Sequence, residues 1–272
     1  MKKTIDPEAR KHYWNDTYYQ YWKARVEEAN QKPGSQSTLV KNDNACASDQ
    51  IYFDAIDSLN IHEGANILEM GCGFGRSIPF LYTKTQNIYA IDISQAMVDA
   101  AKETCQAYEH VQFKVVEAEH TGFDSDFFDH VICYAMFDTT YQNQTLLEIN
   151  RVLKTGGTVL ITGKNDRYFA DDEHALIAEK NARKKGHPNY FTDIPLLFSH
   201  LDDFGFSLVS GRYYHRRGDF AKNNYTTEMP AQFYEYMIVL QKIKSGLPSA
   251  VNLPISDLYS KTYQQIQRDI GS

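Results

Sequence analysis

Residues 67–76 read Ile-Leu-Glu-Met-Gly-Cys-Gly-Phe-Gly-Arg. An apolar run suited to a buried strand passes into alternating Gly71, Gly73 and Gly75, and Ser77-Ile78-Pro79-Phe80-Leu81 then opens a helical pattern. Glycine accepts positive φ and leaves bare backbone for a ligand to lie against. Pro79 suits a first helical turn, whose N–H groups have no internal partner. A tight β–α turn without a ligand is the plainer reading, but it does not call for three alternating glycines. A dinucleotide fingerprint would need glycine at Arg76, and the G-K-[ST] ending of a phosphate loop is absent. Glu69, two residues before the first glycine, would repel phosphate and favour an ammonium or sulfonium cation.

A second acid, Asp92, ends the run Ile88-Tyr89-Ala90-Ile91, at the distance where a carboxylate can take both hydroxyls of a ribose. Asp92 could instead cap the next helix, but Ser94 is the better cap, which leaves Asp92 for a ligand. A third run ends in Glu117-Ala118-Glu119, where a carboxylate or a backbone N–H could meet an adenine edge. A fourth, Phe128 to Met136, ends near Asp138, an acid placed to face an acceptor or simply to cap the turn before Thr139-Thr140. His120 and Tyr134 are weaker candidates for acid–base work.

These stations need a scaffold that brings strand ends together. Apolar runs at Asn66–Met70, Ile88–Ile91, Val111–Val116, Val131–Tyr134 and Thr158–Thr162 alternate with amphipathic stretches near Ser77–Thr83, Ser94–Tyr108 and Gln142–Leu153. That alternation predicts right-handed βαβ units in a doubly wound, mostly parallel sheet, whose carboxyl edge binds ligands. Two later strands are expected at Phe206–Tyr213 and Tyr234–Ile243. A helix from about Ser48 to Leu59 precedes the sheet, and a short polar helix is expected from about Ser256. We divide the chain into an aromatic helical segment over 1–47, a main domain over 48–244 with an insertion at about 165–193, and a tail over 245–272.

At 272 residues with 42% hydrophobic and 23% charged residues, the chain has an ordinary globular composition, which excludes extensive disorder, collagen and coiled coil. Net charge of −7 argues against a general nucleic-acid or membrane field. Cys46, Cys72, Cys105 and Cys133 form no C-x-x-C pair, so neither structural zinc nor a disulfide framework is expected. The N-terminus lacks an apolar core behind Lys2-Lys3, and no run approaches the roughly 20 residues of a membrane span. A soluble, cytoplasmic protein is expected. Nineteen Tyr and fifteen Phe favour a pocket or lid built from rings.

Taken as an ordered set, Glu69-x-Gly71-x-Gly73-x-Gly75, Tyr89 to Ser94, Glu117 to Glu119, Phe128 to Ile132 and Glu148-Ile149-Asn150-Arg151-Val152-Leu153-Lys154-Thr155-Gly156-Gly157 resemble a class I S-adenosylmethionine-dependent methyltransferase over about residues 48–165. The resemblance implies a seven-stranded, Rossmann-like sheet whose last strand, Tyr234–Ile243, runs antiparallel. It implies S-adenosylmethionine as cofactor and S-adenosylhomocysteine as product. The loop Gly71–Gly75, with Cys72 and the following Arg76, would receive the methionine part, Asp92 the ribose and Ala118-Glu119 the adenine, with Ile93 or Met97 against the ring. Tyr134 would pack beside the cofactor. Glu117, at the position where many members have aspartate, would also contact the cofactor.

Tyr18, Trp22 and Arg25 share one helix face and resemble the lid of small-molecule members, although the same stripe would also dock a helix on a core. Arg212, His215 and Arg216 lie in a basic run that could receive an anionic group on the acceptor, or could be a solvated strand end. The N-P-P-[FY] tetrapeptide of DNA and protein amide methyltransferases is replaced by Ala135-Met136-Phe137-Asp138. With no basic arm either, the expected acceptor is a small polar metabolite or sugar-linked intermediate methylated on O or N. A nicotinamide-dependent oxidoreductase and a non-catalytic S-adenosylmethionine-binding protein are the alternatives.

Overall fold

The computed structural model describes residues 4–30, 45–245 and 253–271, with side chains at 4–24, 50–245 and 253–270. Its centre is a seven-stranded sheet in the order β3-β2-β1-β4-β5-β8-β7. The strands are β1 (Ile67–Met70), β2 (Ile88–Asp92), β3 (Gln112–Val115), β4 (Phe128–Cys133), β5 (Leu153–Lys164), β7 (Phe206–Tyr214) and β8 (Glu235–Lys242). The pairs from β3 across to β5 are parallel, whereas β8 is antiparallel to both neighbours, as the resemblance implies. β1 is buried on both faces, which is why it reads as continuous apolar sequence rather than alternation.

Helices α3 (Ala45–Asp57), α4 (Ile78–Leu81), α5 (Gln95–Thr104) and α6 (Gln142–Val152) flank the sheet. Among the described residues three apolar clusters form, one around Leu68, Val131, Ile149 and Ile161, a second around Ile56, Ile67, Ile78 and Ala101, and a small third of Tyr168, Ala175, Phe191 and Tyr234. Ser94 caps α5 by accepting the Met97 N–H at 3.2 Å, as its position in the sequence suggests. Several boundaries differ from the sequence reading. α3 begins at Ala45, ahead of the expected cap at Ser48. β5 starts at Leu153 because the glycine pair Gly156-Gly157 is absorbed as an irregularity between the Phe128↔Leu153 and His130↔Thr158 pairings.

The insertion after β5 carries α7 (Glu173–Lys184), the short strand β6 (Phe191–Thr192) and α8 (Ile194–Ser199). The tail forms β9 (Ser256–Asp257), antiparallel to β6, and then α9 (Lys261–Gly271), so the helix expected from Ser256 starts later. Glu179 accepts hydrogen bonds from the N–H and hydroxyl of Ser260 at 2.9 and 2.7 Å, stitching the tail onto the insertion. The N-terminal segment is helical through α1 (Pro7–His12), a π-helical stretch (Tyr13–Tyr18) and α2 (Tyr19–Asn30).

Candidate active site

The sheet reverses its strand order between β1 and β4, and such a switch point leaves a crevice at the carboxyl ends. A cavity of about 480 Å³ opens there. Glu69 enters it from β1 and is only 5% exposed. Ser77 donates its hydroxyl to Glu69 Oε1, while Glu69 Oε2 is buried with no partner among the described residues. Burial pushes this carboxyl up to about 8, with Arg76 opposing and Asp92 adding to the shift.

The three glycines of the loop have separate jobs. Each has positive φ, at +71°, +52° and +83° for Gly71, Gly73 and Gly75. A Cβ on Gly71 would lie 2.8 Å from Met136, and one on Gly75 would lie 2.6 Å from Cys105 Sγ, so these two let neighbouring side chains close in. A Cβ on Gly73 would meet nothing within 4 Å among the described residues, so of these three glycines it is the one whose bare backbone is left uncovered by them. The Gly73 N–H donates to Asp92 Oδ2 at 3.0 Å and the Ser94 N–H to Oδ1 at 2.9 Å, fixing the half-buried Asp92 carboxylate at the rim. Burial raises the Asp92 carboxyl, and these N–H donors oppose the rise.

Ile93, Met97, Ala118 and Glu119 continue the wall. Arg10 reaches in from α1 to grip Glu119 with two hydrogen bonds, 2.5 and 3.0 Å, and the Tyr141 N–H adds a third at 2.7 Å. Trp14 and Tyr18 follow Arg10 along the N-terminal helix as further lining. Asn15 pins the same helix by accepting the Ala96 N–H, 3.1 Å away, at the first turn of α5. His187 joins this roof, its Nδ1 2.7 Å from the Tyr13 hydroxyl. Burial and then Lys164 push His187 down to about 3, so it is neutral there.

The opposite wall comes from the ends of β4, β5 and β8. Tyr134 stacks on buried Tyr52 at 3.8 Å between ring centroids, with the Arg76 guanidinium 5.5 Å from its own ring. Ala135 sits at φ +53°, a left-handed conformation costing a non-glycine residue about 1–2 kcal/mol, held by its N–H bond to Thr162 Oγ1 at 2.8 Å. Asp138 is buried, with Oδ2 on Lys164 Nζ at 2.8 Å and Oδ1 on the Lys164 N–H at 2.9 Å. Burial raises its carboxyl against the pull of Lys164. Asn189, Glu235 and Tyr236 complete this end.

Residues 68–161 match the family described as methyltransferase domain. Methyltransferase GfsG of Streptomyces halstedii is 23% identical over 172 residues, covering 61% of this chain and 57% of that protein. The chain spans about half the length of the curated relatives it matches. Among solved structures, magnesium protoporphyrin IX methyltransferase from Synechocystis PCC 6803 with bound SAH aligns with a TM-score of 0.56 at 17% identity, over 85% of this chain and 97% of that one. The [4+2]-cyclase SpnF aligns with a TM-score of 0.57 at 15% identity, over 89% and 99%. Residues 68–161 thus match a methyltransferase domain, within a fold shared with solved S-adenosylmethionine-dependent methyltransferases.

The cavity of this methyltransferase domain suits that family's cofactor. The orphaned Glu69 oxygen is a ready acceptor for an ammonium group, Gly73 offers uncluttered backbone, and Asp92 holds its carboxylate at the rim. Of the residues singled out in the sequence, Glu69, Gly71, Cys72, Gly73, Arg76, Asp92, Ile93, Met97, Ala118, Glu119, Tyr134, Tyr18 and Asp138 all line this one cavity. Others are placed elsewhere. Gly75 packs on Cys105, and Glu117 turns to Lys11 at 2.6 Å and Arg10 at 3.5 Å. Trp22 stacks on Phe74 at 4.8 Å instead of lining the cavity, and the Arg25 side chain lies outside the described residues.

The basic run does not reach the cavity of the methyltransferase domain. Exposed Arg216 pairs with Asp171 at 3.0 Å, Arg212 lies over the Tyr225 ring, and His215 faces Phe169. Those ion-pair and ring contacts occupy the groups that an acceptor anion would need. His120 is exposed and stands outside the lining. Sequence reasoning missed Arg10, Trp14, Lys164, His187, Asn189 and Glu235, all of which line the cavity. Arg10, Trp14 and Tyr18 carried a usable signal, a four-residue spacing in the aromatic segment. Residues of the insertion and of β8 had no local pattern to mark them.

Proposed function

We propose that the protein transfers a methyl group from S-adenosylmethionine to an O or N atom of a small polar molecule. The observation that carries this reading is the unpartnered, buried Glu69 oxygen beside the open backbone of Gly73, in a matched methyltransferase domain. When bound, the cofactor would supply an electrophilic methyl carbon on a sulfonium, leaving S-adenosylhomocysteine. Glu69 would hold the ammonium, Asp92 the ribose hydroxyls, and Ala118 with Ile93 and Met97 the adenine face. A likeness in fold alone does not establish transfer, as the alignment with a [4+2]-cyclase illustrates, so the activity rests on the site.

The roof of Arg10, Trp14 and Tyr18 favours a small acceptor, since it covers a cavity of about 480 Å³ that must hold donor and acceptor together. Enclosure also excludes water and keeps nucleophile and methyl carbon in near-attack contact, the main contribution an enzyme makes to such a displacement. Asp138 is better suited to holding Lys164 than to taking a proton, because both its oxygens are engaged. Calorimetry with S-adenosylmethionine and S-adenosylhomocysteine, followed by label transfer from a methyl-tritiated donor to a small-molecule panel, tests the proposal. Absence of heat with both nucleosides overturns it; heat without label on any acceptor favours a non-catalytic binding protein.

A further inference from the structure

Glu235 opens β8 and is the direct antiparallel partner of Lys164 at the end of β5. Oppositely charged cross-strand partners ordinarily pair with each other. Here Lys164 Nζ turns instead to Asp138 Oδ2 at 2.8 Å and Asn189 Oδ1 at 3.2 Å. Both residues line the cavity, yet the Glu235 carboxylate takes no hydrogen bond among the described residues. An ammonium has three donors, and two on Lys164 are used. The wall formed by β5 and β8 therefore presents an acceptor-only carboxylate beside a cation with one donor to spare.

We propose that Glu235 is the general base of an O-methylation, so that the acceptor is a hydroxyl compound. The proposal rests on the methyl-transfer reading above and narrows its acceptor from O or N to O. The hydroxyl donates to Glu235 and accepts from Lys164. As the oxygen lone pair forms the new O–C bond, the C–S pair stays on sulfur and the hydroxyl proton passes to the carboxylate, to be released to solvent afterwards. A neutral amine needs no base, so a carboxylate placed to take a proton serves a hydroxyl acceptor. A half-buried carboxylate kept without a hydrogen bond is costly unless something uses it.

The surroundings tune Glu235 for this task. Burial raises its carboxyl first and foremost; Lys164 and Arg217 pull it down, and Asp138 and Asp172 push it up again. Tyr234 and Tyr214 are the neighbouring phenols that feel its charge. The net direction is upward from the ordinary carboxylate value, toward the working pH of a base.

The test uses the full chain, methyl-tritiated S-adenosylmethionine and matched fragment pairs: phenol with aniline, benzyl alcohol with benzylamine, cyclohexanol with cyclohexylamine. Hydroxyl members should take label at least tenfold faster than their amines. Glu235→Gln should lower kcat by about a hundredfold or more and abolish the acid limb of the rate–pH profile. Its S-adenosylhomocysteine affinity by calorimetry should stay within twofold. Glu235→Asp, which keeps a carboxylate, should retain partial rate and the same acid limb, and it serves if the glutamine variant does not fold. Labelling of amines in preference, no labelling of any hydroxyl by protein that binds the donor, or an unchanged pH profile in Glu235→Gln overturns the proposal. Lack of donor binding by the unmodified protein would instead remove the reading beneath it.

Discussion

Replacing Glu69 by Gln should make the ligand-free protein more stable at pH 8 while weakening its hold on the cofactor. Glu69 is 5% exposed and its carboxyl is pushed up from 4.5 to about 8 by burial. Between those values the folded state keeps a proton that the unfolded state has released, so stability falls as pH rises. Linkage puts the loss near 1 kcal/mol at pH 5 and near 4 kcal/mol at pH 8. Glutamine keeps the shape and the bond to Ser77 but does not titrate. Its advantage over the native residue should therefore grow by about 3 kcal/mol from pH 5 to pH 8, or roughly 6–12 °C in Tm at this chain length.

Differential scanning fluorimetry at pH 5, 6.5 and 8 reads that difference directly. With saturating S-adenosylhomocysteine at pH 8 the order should reverse, because the ligand's ammonium compensates the buried carboxylate and cannot pair with an amide as strongly. Parallel Tm–pH curves for the two proteins, or a gap that shrinks as pH rises, would refute the assignment of Glu69 as a buried acid waiting for a cation.

The glycines and the N-terminal helix give sharper contrasts. Gly73→Ala meets no neighbour and pays only for φ +52°, about 1 kcal/mol; calorimetry should show donor affinity falling at least tenfold while Tm drops by a few degrees. Gly75→Ala adds a Cβ 2.6 Å from Cys105 Sγ to the same strain, so its loss of stability in chemical denaturation should exceed that of Gly73→Ala by about 1–3 kcal/mol. Arg10→Met leaves Glu119, whose side chain is 7% exposed, with only the Tyr141 N–H; the roof should loosen at a cost approaching 3–5 kcal/mol, read as faster proteolysis within residues 7–24 and altered fluorescence of Trp14 and Trp22.

The cavity wall that carries Glu69, the glycine loop and Asp92 was legible because each of its parts is local in sequence. Glu69 and the glycines sit within seven residues, Asp92 ends the next strand, and Ala118-Glu119 end the one after. Parallel strands with both faces buried announce themselves as apolar runs, and the right-handed crossover rule then leaves little freedom in topology. The wall built from the ends of β4, β5 and β8 is non-local. Asp138 was singled out alone, yet its meaning depends on Lys164, 26 residues on, and on Glu235, which reaches the same wall only because β8 inserts antiparallel between β5 and β7. No spacing rule joins those residues. The basic run misled for the complementary reason: Arg216 looks available in sequence, and its partner Asp171 lies 45 residues away.

The N-terminal helix shows how a local irregularity can redirect a correct periodicity argument. An α-helical period from Tyr18 selects Trp22 and Arg25 as companions. The residues that reach the cavity are instead Arg10, Trp14 and Tyr18, spaced by four across a π-helical stretch from Tyr13 to Tyr18. A π-turn is wider than an α-turn, so a four-residue step that overshoots a full α-turn falls short of a π-turn, and the two offsets partly cancel from Arg10 through Trp14 to Tyr18. Beyond Tyr18 the α-helical period resumes, and Trp22 moves off the cavity onto Phe74. The π segment thus decides which rings roof the site and which merely anchor the helix, a distinction that residue type and α-helical spacing alone do not make.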